Sequence, residues 1–294
     1  MKDGNKKGLF ALILLAVSAI WGGAFVIMKD ALDRIDVNSF LSWRFTIATV
    51  LLILLKPKVL TQINRKFLLK GALVGTFLGS GYIFQSFGLT LTSVAKTGFI
   101  TGLYVVLTPV LGALVLKKRI ATLQWFSVAL ATAGLLLLSF KGLHVGLGEF
   151  LVFLSAIVFA AHIIALGEWS SGMDTYALTV VQLGTCAVIT TIAGLKSGLH
   201  TPPDSGVWWA IIFCSVFATA IAFIFQTWAQ SFMAATTVAV ILTMEVVFAA
   251  AFGIAVSHES LTTKTAVGGL MVIVAMYSII YSESKELKVN TVAK

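Results

Sequence analysis

Glu245 stands alone in AVILTMEVVFAA (239–250), a stretch whose other residues are uncharged and nearly all apolar. A carboxylate inside hydrocarbon is costly and, where it occurs, faces a cavity, a partner or a proton path. Thr97, Thr101, Tyr104 and Thr108 carry a related signal, recurring at i, i+4, i+7 and i+11. That spacing draws one polar stripe along a single helix face. Its hydroxyls fit two readings, bonding to a polar solute or bonding between neighbouring helices. Arg44, within SFLSWRF, is the other strong charge well inside an apolar run. It fits an anion anchor, and equally a side chain that snorkels to the interface or bonds exposed helix carbonyls. Gln85, Gln226 and Gln182 add amides, and His162 adds an imidazole that either relays protons or packs through a hydrogen bond. Trp21 precedes Gly22-Gly23, a pair expected to loosen its helix near the centre, and lines a pocket or packs. Lys96 sits at a helix mouth as a candidate for gating or coupling.

The elements that hold these residues are membrane helices. The chain is 59% hydrophobic and 11% charged, with mean hydropathy +0.99, whereas soluble domains are about 25% charged. Ten apolar segments approach the roughly 20 residues a span needs: 9–28, 37–55, 69–90, 97–116, 121–140, 147–167, 176–195, 207–228, 233–255 and 265–282. Counted from the near end of the ninth span at 1.5 Å per residue, Glu245 lies about 18 Å deep, past the middle of a core about 30 Å thick. No room remains for a soluble domain. The expected fold class is all-α, with ten transmembrane helices.

The net charge of +9 is distributed as membrane topology, not as a nucleic-acid surface. With the N-terminus inside, fourteen basic residues fall in inner segments: Lys2, Lys6, Lys7, Lys56, Lys58, Arg65, Lys66, Lys70, Lys117, Lys118, Arg119, Lys285, Lys288 and Lys294. Six fall outside: Lys29, Arg34, Lys96, Lys141, Lys196 and Lys264. This bias places both termini in the cytoplasm. The basic start followed by Val17-Ser18-Ala19 also fits a signal peptide, but the apolar run continues through Met28, and a first span is the expectation. Cys186 and Cys214 fall inside spans without a Cys-x-x-Cys pattern and read as small buried hydrophobes.

Shifting the sequence by 141 positions lays YIFQ (82–85) on FIFQ (223–226) and runs without a gap to the end of the next span, where Lys117 faces His258. It pairs Ile100 with Ile241, Gly112 with Gly253, Val115 with Val256 and Tyr104 with Glu245. Gln85 and Gln226 become partners, as do Trp21 and His162; a shift of 138 pairs Asp36 with Asp174 and Arg44 with Gln182. Two five-span halves, 1–143 and 144–294, follow, and an odd number of spans inverts the second against the first. Inverted repeats are a transporter architecture with the substrate near the midplane; a duplicated scaffold is the alternative. Gly71, Gly75 and Gly79, and also Gly268-Gly269, read as close-packing faces, and Pro109 as a bend past the Tyr104 level. No phosphate loop, metal-ligand cluster or hydrolase motif is present in the sequence, so neither an enzyme nor a cofactor is expected, and uphill transport would draw on an ion gradient or on exchange.

Trp21-Gly22-Gly23, Arg44-Phe45 and TGFITGLYVVLTPVLGALVLKKRI (97–120) resemble the first EamA-type domain of the drug/metabolite transporter superfamily. ILTMEVVFAAAFGIAVSHESL (241–261) resembles the second, with Glu245 on the family's glutamate. Val246 stands where the family commonly has proline, implying that the second half lacks that bend, and His258 replaces the usual glycine before Glu259. The resemblance implies two inverted five-helix repeats and a transporter of metabolites, with amino acids the first candidate class. In the family the glutamate also fits an architectural role.

The resulting expectation is a multi-pass plasma-membrane transporter exporting a small-molecule substrate by alternating access, with protons as the candidate coupling ion and no nucleic-acid partner. Trp21, Gln85, Thr101, Tyr104, Gln226 and Glu245 are expected to line its cavity; Glu245, Arg44, Lys96 and His162 are the coupling or gating candidates. An uncoupled exchanger or facilitator is the alternative, and a non-transporting membrane sensor or assembly subunit a more distant one.

Overall fold

Backbone amides in hydrocarbon must find partners inside the chain, and long apolar segments do so as helices. A computed structural model of the chain describes residues 3–117, 120–139, 146–195, 198–257 and 262–292. Among these there are helices and no strands. Lys2, Lys118, Arg119, Lys141, Lys196, His258, Glu259 and Lys294 lie outside the described residues.

The order is α1 (Asp3–Leu32), α2 (Val37–Leu55), a 3-10 turn (Pro57–Gln62), α3 (Arg65–Leu91), α4 (Val94–Gly102), α5 (Tyr104–Leu116) and α6 (Thr122–Ser139). Then come α7 (Leu147–Trp169), α8 (Thr175–Gly194), α9 (Ser205–Ser215), a π-helical segment (Val216–Ile221), α10 (Ala222–Gln230), α11 (Ala235–Leu242), α12 (Met244–Ser257) and α13 (Thr263–Val292). Short polar residues start the helices by accepting from an amide three residues on. Asp36 accepts from Ser39, Asn64 from Phe67, Ser93 from Lys96, Asp174 from Ala177 and Asp204 from Val207.

Among the described residues, eight helices have the length and composition to cross a membrane: Gly8–Leu32, Val37–Leu55, Arg65–Leu91, Lys96–Leu116, Leu147–Trp169, Thr175–Gly194, Ser205–Gln230 and Ala235–Phe252. The expected spans 121–140 and 265–282 contain shorter apolar helices, Thr122–Leu137 and Ala266–Tyr281. These two pack along each other: a Cβ on Gly134 would sit 2.7 Å from the Gly268 carbonyl oxygen. The Gly71, Gly75 and Gly79 face packs on Val181, Gln182, Thr185 and Cys186 of α8, a close approach that only a missing side chain permits.

Two expectations about helix shape change. α1 runs without interruption through Trp21-Gly22-Gly23. Gly22 serves contact, because a Cβ there would lie 2.6 Å from the Glu245 carbonyl oxygen on α12. Pro109 lies inside α5; the interruption comes earlier, at Leu103, and a matching one occurs at Thr243 between α11 and α12. The second half therefore breaks without a proline. Both break residues adopt φ −62 and ψ −13, and the Thr243 hydroxyl donates back to the Val240 carbonyl at 2.6 Å, a local bond that competes with helix continuation.

Large apolar side chains point both inward and outward. Leu14, Phe40, Phe45, Leu78, Leu178 and Phe223 are fully buried, whereas Leu12, Leu54, Leu114, Ile192, Trp209 and Leu270 are 60% or more exposed. An apolar exterior of this extent suits a lipid solvent.

Candidate functional site

Most of the side chains singled out for chemistry converge on one small cavity, with about 60 Å³ of room for water-sized molecules. Trp21 comes from α1, Arg44 from α2, Gln85 from α3, Thr101 from α4 and Tyr104 from α5; His162 comes from α7, Gln226 from α10 and Glu245 from α12. Apolar surface from Ala24, Phe25, Met28, Leu78, Phe159, Ile163, Phe223 and Leu242 fills in between, giving a mainly apolar wall with a few convergent polar groups.

Tyr104 begins α5 and Glu245 is the second residue of α12, each in the first turn past an interruption. The Tyr104 hydroxyl donates to Glu245 Oε1 at 3.4 Å. Both side chains are buried, and among the described residues no cation lies within ion-pair distance of the carboxylate. One turn before Tyr104, the Thr101 hydroxyl accepts from Gln85 Nε2 at 3.1 Å. Thr97 bonds back to the Ser93 carbonyl, and the Thr108 hydroxyl is buried with no partner among the described residues. The threonine stripe is therefore divided: Thr101 joins the cavity, while Thr97 and Thr108 do not line it.

Arg44 is 1% exposed, so it does not snorkel. Its Nε donates to the Thr219 hydroxyl at 2.7 Å, one Nη to the Ala218 carbonyl at 3.2 Å and to the Tyr82 hydroxyl at 3.3 Å, and the other Nη to the Met28 sulfur at 3.3 Å. The guanidinium carbon also lies 4.5 Å from the Tyr82 ring centroid, a cation–π contact. The Ala218 carbonyl accepts a second bond, from Trp21 Nε1 at 2.9 Å. Ala218 and Thr219 belong to the π-helical segment, whose widened turn exposes backbone acceptors that a regular helix uses internally. That bulge fixes both the cation and the indole of the cavity.

His162 shares Nε2 with Gln182 Oε1 at 3.0 Å, and Gln182 Nε2 donates to Thr227 at 2.9 Å. Gln226 Nε2 donates to Gln230 Oε1 at 3.0 Å, and Gln226 Oε1 is buried without a partner among the described residues. Lys96 does not line the cavity. Its ammonium lies 2.8 Å from Glu149 Oε1 on α7, which also accepts from the Thr92 hydroxyl at 2.8 Å. Among the described residues no group of three or more His, Cys, Asp and Glu is placed to hold a metal.

Tyr82, Phe223, Phe159, Met28, Ala218 and Thr219 were not legible as site residues from chemistry alone. The aligned YIFQ and FIFQ motifs do contain Tyr82 and Phe223 at matching positions, a signal for those two. Nothing in VFATAI announces a π-helical segment.

Comparison with known proteins agrees with this architecture. The profile of the EamA-like transporter family matches residues 7–140 and again residues 146–281. An uncharacterized transporter of Archaeoglobus fulgidus is 30% identical over 275 residues, covering 93% of this chain and 86% of its own length. A second from the same organism is 25% identical over 286 residues, covering 90% and 95%. One solved crystal structure shares the fold at 13% identity, with TM-score 0.78 over 95% of this chain and 99% of its own. With both halves of the site inside the matched segments, the chain belongs to the EamA-like transporter family of the drug/metabolite transporter superfamily.

Proposed function

We propose that this protein is a secondary transporter that exports small metabolites across the plasma membrane, with amino acids the first class to test. The observation that carries the reading is a single cavity whose polar lining, Trp21, Arg44, Gln85, Thr101 and Tyr104 against His162, Gln226 and Glu245, comes from both family-matched segments. Ten helices in two inverted halves, 1–143 and 144–294, with both termini cytoplasmic, would rock about this cavity to give alternating access. In such a cycle Glu245 is the candidate proton carrier, because a carboxyl without a cationic partner is free to exchange a proton for a substrate contact.

Reconstitution into proteoliposomes, with counterflow measured across a library of metabolites, tests the reading. Saturable uptake above protein-free vesicles supports it, and none across the library from folded protein sinks it. With a transported solute in hand, accumulation driven by an imposed pH gradient should be abolished in Glu245→Gln. Equal pH-driven accumulation in that variant excludes Glu245 as the proton carrier; flux indifferent to the gradient indicates an uncoupled exchanger or facilitator.

A further inference from the structure

The polar groups around the central cavity are unevenly matched. Several of its donors are spent on the protein: Trp21 Nε1 on the Ala218 carbonyl, the Tyr104 hydroxyl on Glu245, and one N–H of Gln226 on Gln230, while the Tyr82 and Thr101 hydroxyls each accept a bond and keep a proton to donate. Arg44 places four N–H bonds on Thr219, Ala218, Tyr82 and Met28. Of its five donors, that leaves one, too few for the bidentate clamp by which arginine grips a carboxylate. The acceptors are under-used. Gln226 Oε1 is buried with no partner among the described residues. The Glu245 carboxylate, which has about four acceptor sites, receives one long bond. Rings of Trp21, Phe25, Phe159 and Phe223 stand around them, and ring faces attract cations.

We propose that the solute recognised here carries a protonated amine, donated to the Glu245 carboxylate and to Gln226 Oε1, with its apolar body against the aromatic wall. This rests on the reading of the cavity as the substrate site and narrows it: the ammonium is the group the protein recognises, and a solute carboxylate is dispensable. An amino acid is then taken for its amine, and a simple amine serves as well. The charge of Arg44 belongs to the scaffold, holding the π-helical segment and the Tyr82 ring in place.

Four matched solutes test the proposal against detergent-purified full-length protein at pH 7: 2-phenylethylamine, its neutral N-acetyl derivative, 3-phenylpropanoate, and phenylalanine. Affinity is read by quenching of tryptophan fluorescence and by calorimetry. The amine should bind about tenfold or more tightly than the amide and the carboxylate, the worth of one charge-assisted bond. Phenylalanine should bind within about tenfold of the amine. Glu245→Gln should erase the preference for the amine over its amide, Glu245→Asp should retain part of it, and Gln226→Leu should weaken amine binding by several-fold. Should Glu245→Gln fail to fold, the aspartate and leucine variants carry the decision. The proposal is overturned if the carboxylate binds as tightly as the amine, if phenylalanine binds more than about tenfold tighter than the amine, if the amine ignores the Glu245 variants, or if folded protein binds none of the four. Counterflow with the same solutes separates the two readings. Amine binding without flux of any solute removes transport and leaves the amine site standing. Flux confined to neutral or anionic solutes removes the amine site and leaves transport standing.

Discussion

Tyr104 donates its hydroxyl to Glu245 across 141 positions of sequence, at 3.4 Å. That separation is the offset that lays YIFQ on FIFQ, so two residues paired by comparing the chain with itself meet in the folded protein. Each follows a helix interruption, at Leu103 and at Thr243, which places the two side chains at the middle of the bundle instead of along a continuous face.

The two should therefore act as a coupled pair. Tyr104→Phe removes only the hydroxyl, and Glu245→Gln keeps the shape while removing the charge. In a double-mutant cycle on thermal unfolding in detergent, a net bond predicts an interaction energy of about 0.5–1.5 kcal/mol. Additivity within about 0.3 kcal/mol would mean that the 3.4 Å contact carries no energy.

How far the site could be read in advance differs by residue. Glu245 and Arg44 are conspicuous because charge in hydrocarbon is rare, and the repeat offset places Gln85, Gln226 and Tyr104 beside them. Lys96 was legible only in part, since an ammonium at a helix mouth gives no clue that Glu149, on another helix, lies 2.8 Å away. The two glycines after Trp21 suggested a weak point, yet glycine serves equally for close contact, and only the neighbouring α12 decides between these uses. The π-helical segment was hidden for a deeper reason: an extra residue per turn is stabilised by long-range partners, here Arg44 and Trp21, and local propensity does not encode them.

Arg44→Lys should show that bond pattern, not charge alone, is what the protein needs. An ammonium cannot reach Thr219, Ala218, Tyr82 and Met28 together in the planar fork of a guanidinium. Leaving several of these groups unpaired and buried predicts a loss of about 3–5 kcal/mol. Thr219→Val removes a single acceptor and should cost about 1.5–3 kcal/mol. Thermal unfolding of the two variants checks the order, and equal midpoints would contradict a scaffold role for Arg44.

The loop before α2 gives a pH prediction. Asp36 caps α2 through the Ser39 amide, and its Oδ2 lies 2.9 Å from His200 Nδ1. Partial burial pushes this carboxyl up, but bonds from the Ser39 hydroxyl and amide, together with His200, outweigh it and leave it below its ordinary value. Asp204 is also held low, chiefly by the Val207 amide, with Arg34 adding to it. A carboxyl lowered in the folded state stabilises it fully above the unfolded value, about 3.9, and that contribution is lost as pH falls through the folded value. Asp36→Asn keeps a capping oxygen, so at pH 7 it should cost only about 0.5 kcal/mol after solvent screening. The gap between variant and parent should close below about pH 4; a gap that persists at low pH would assign the cost to shape instead of charge.

Glycine contacts offer a test that separates packing from the site. A Cβ on Gly75 would lie 2.4 Å from the Gln182 carbonyl oxygen and 2.6 Å from Thr185 Cβ, so α3 and α8 must part. Gly75→Ala should lower stability by about 1–3 kcal/mol, as overpacking does. Gly112 sits inside α5, where an added Cβ meets nothing within 4 Å, so Gly112→Ala should stabilise by about 0.5–1 kcal/mol through helix propensity. Gly22→Ala is the informative third case. Its Cβ would press on the Glu245 carbonyl at 2.6 Å and the Ala249 amide nitrogen at 2.8 Å, displacing the turn of α12 that carries the carboxylate. The expected result is a loss of solute affinity larger than the loss of stability explains, measured by binding to protein that remains folded at the assay temperature. Parallel losses in Gly22→Ala and Gly75→Ala, with no excess effect on binding in the former, would show that the α1–α12 contact supports the fold without setting the position of Glu245.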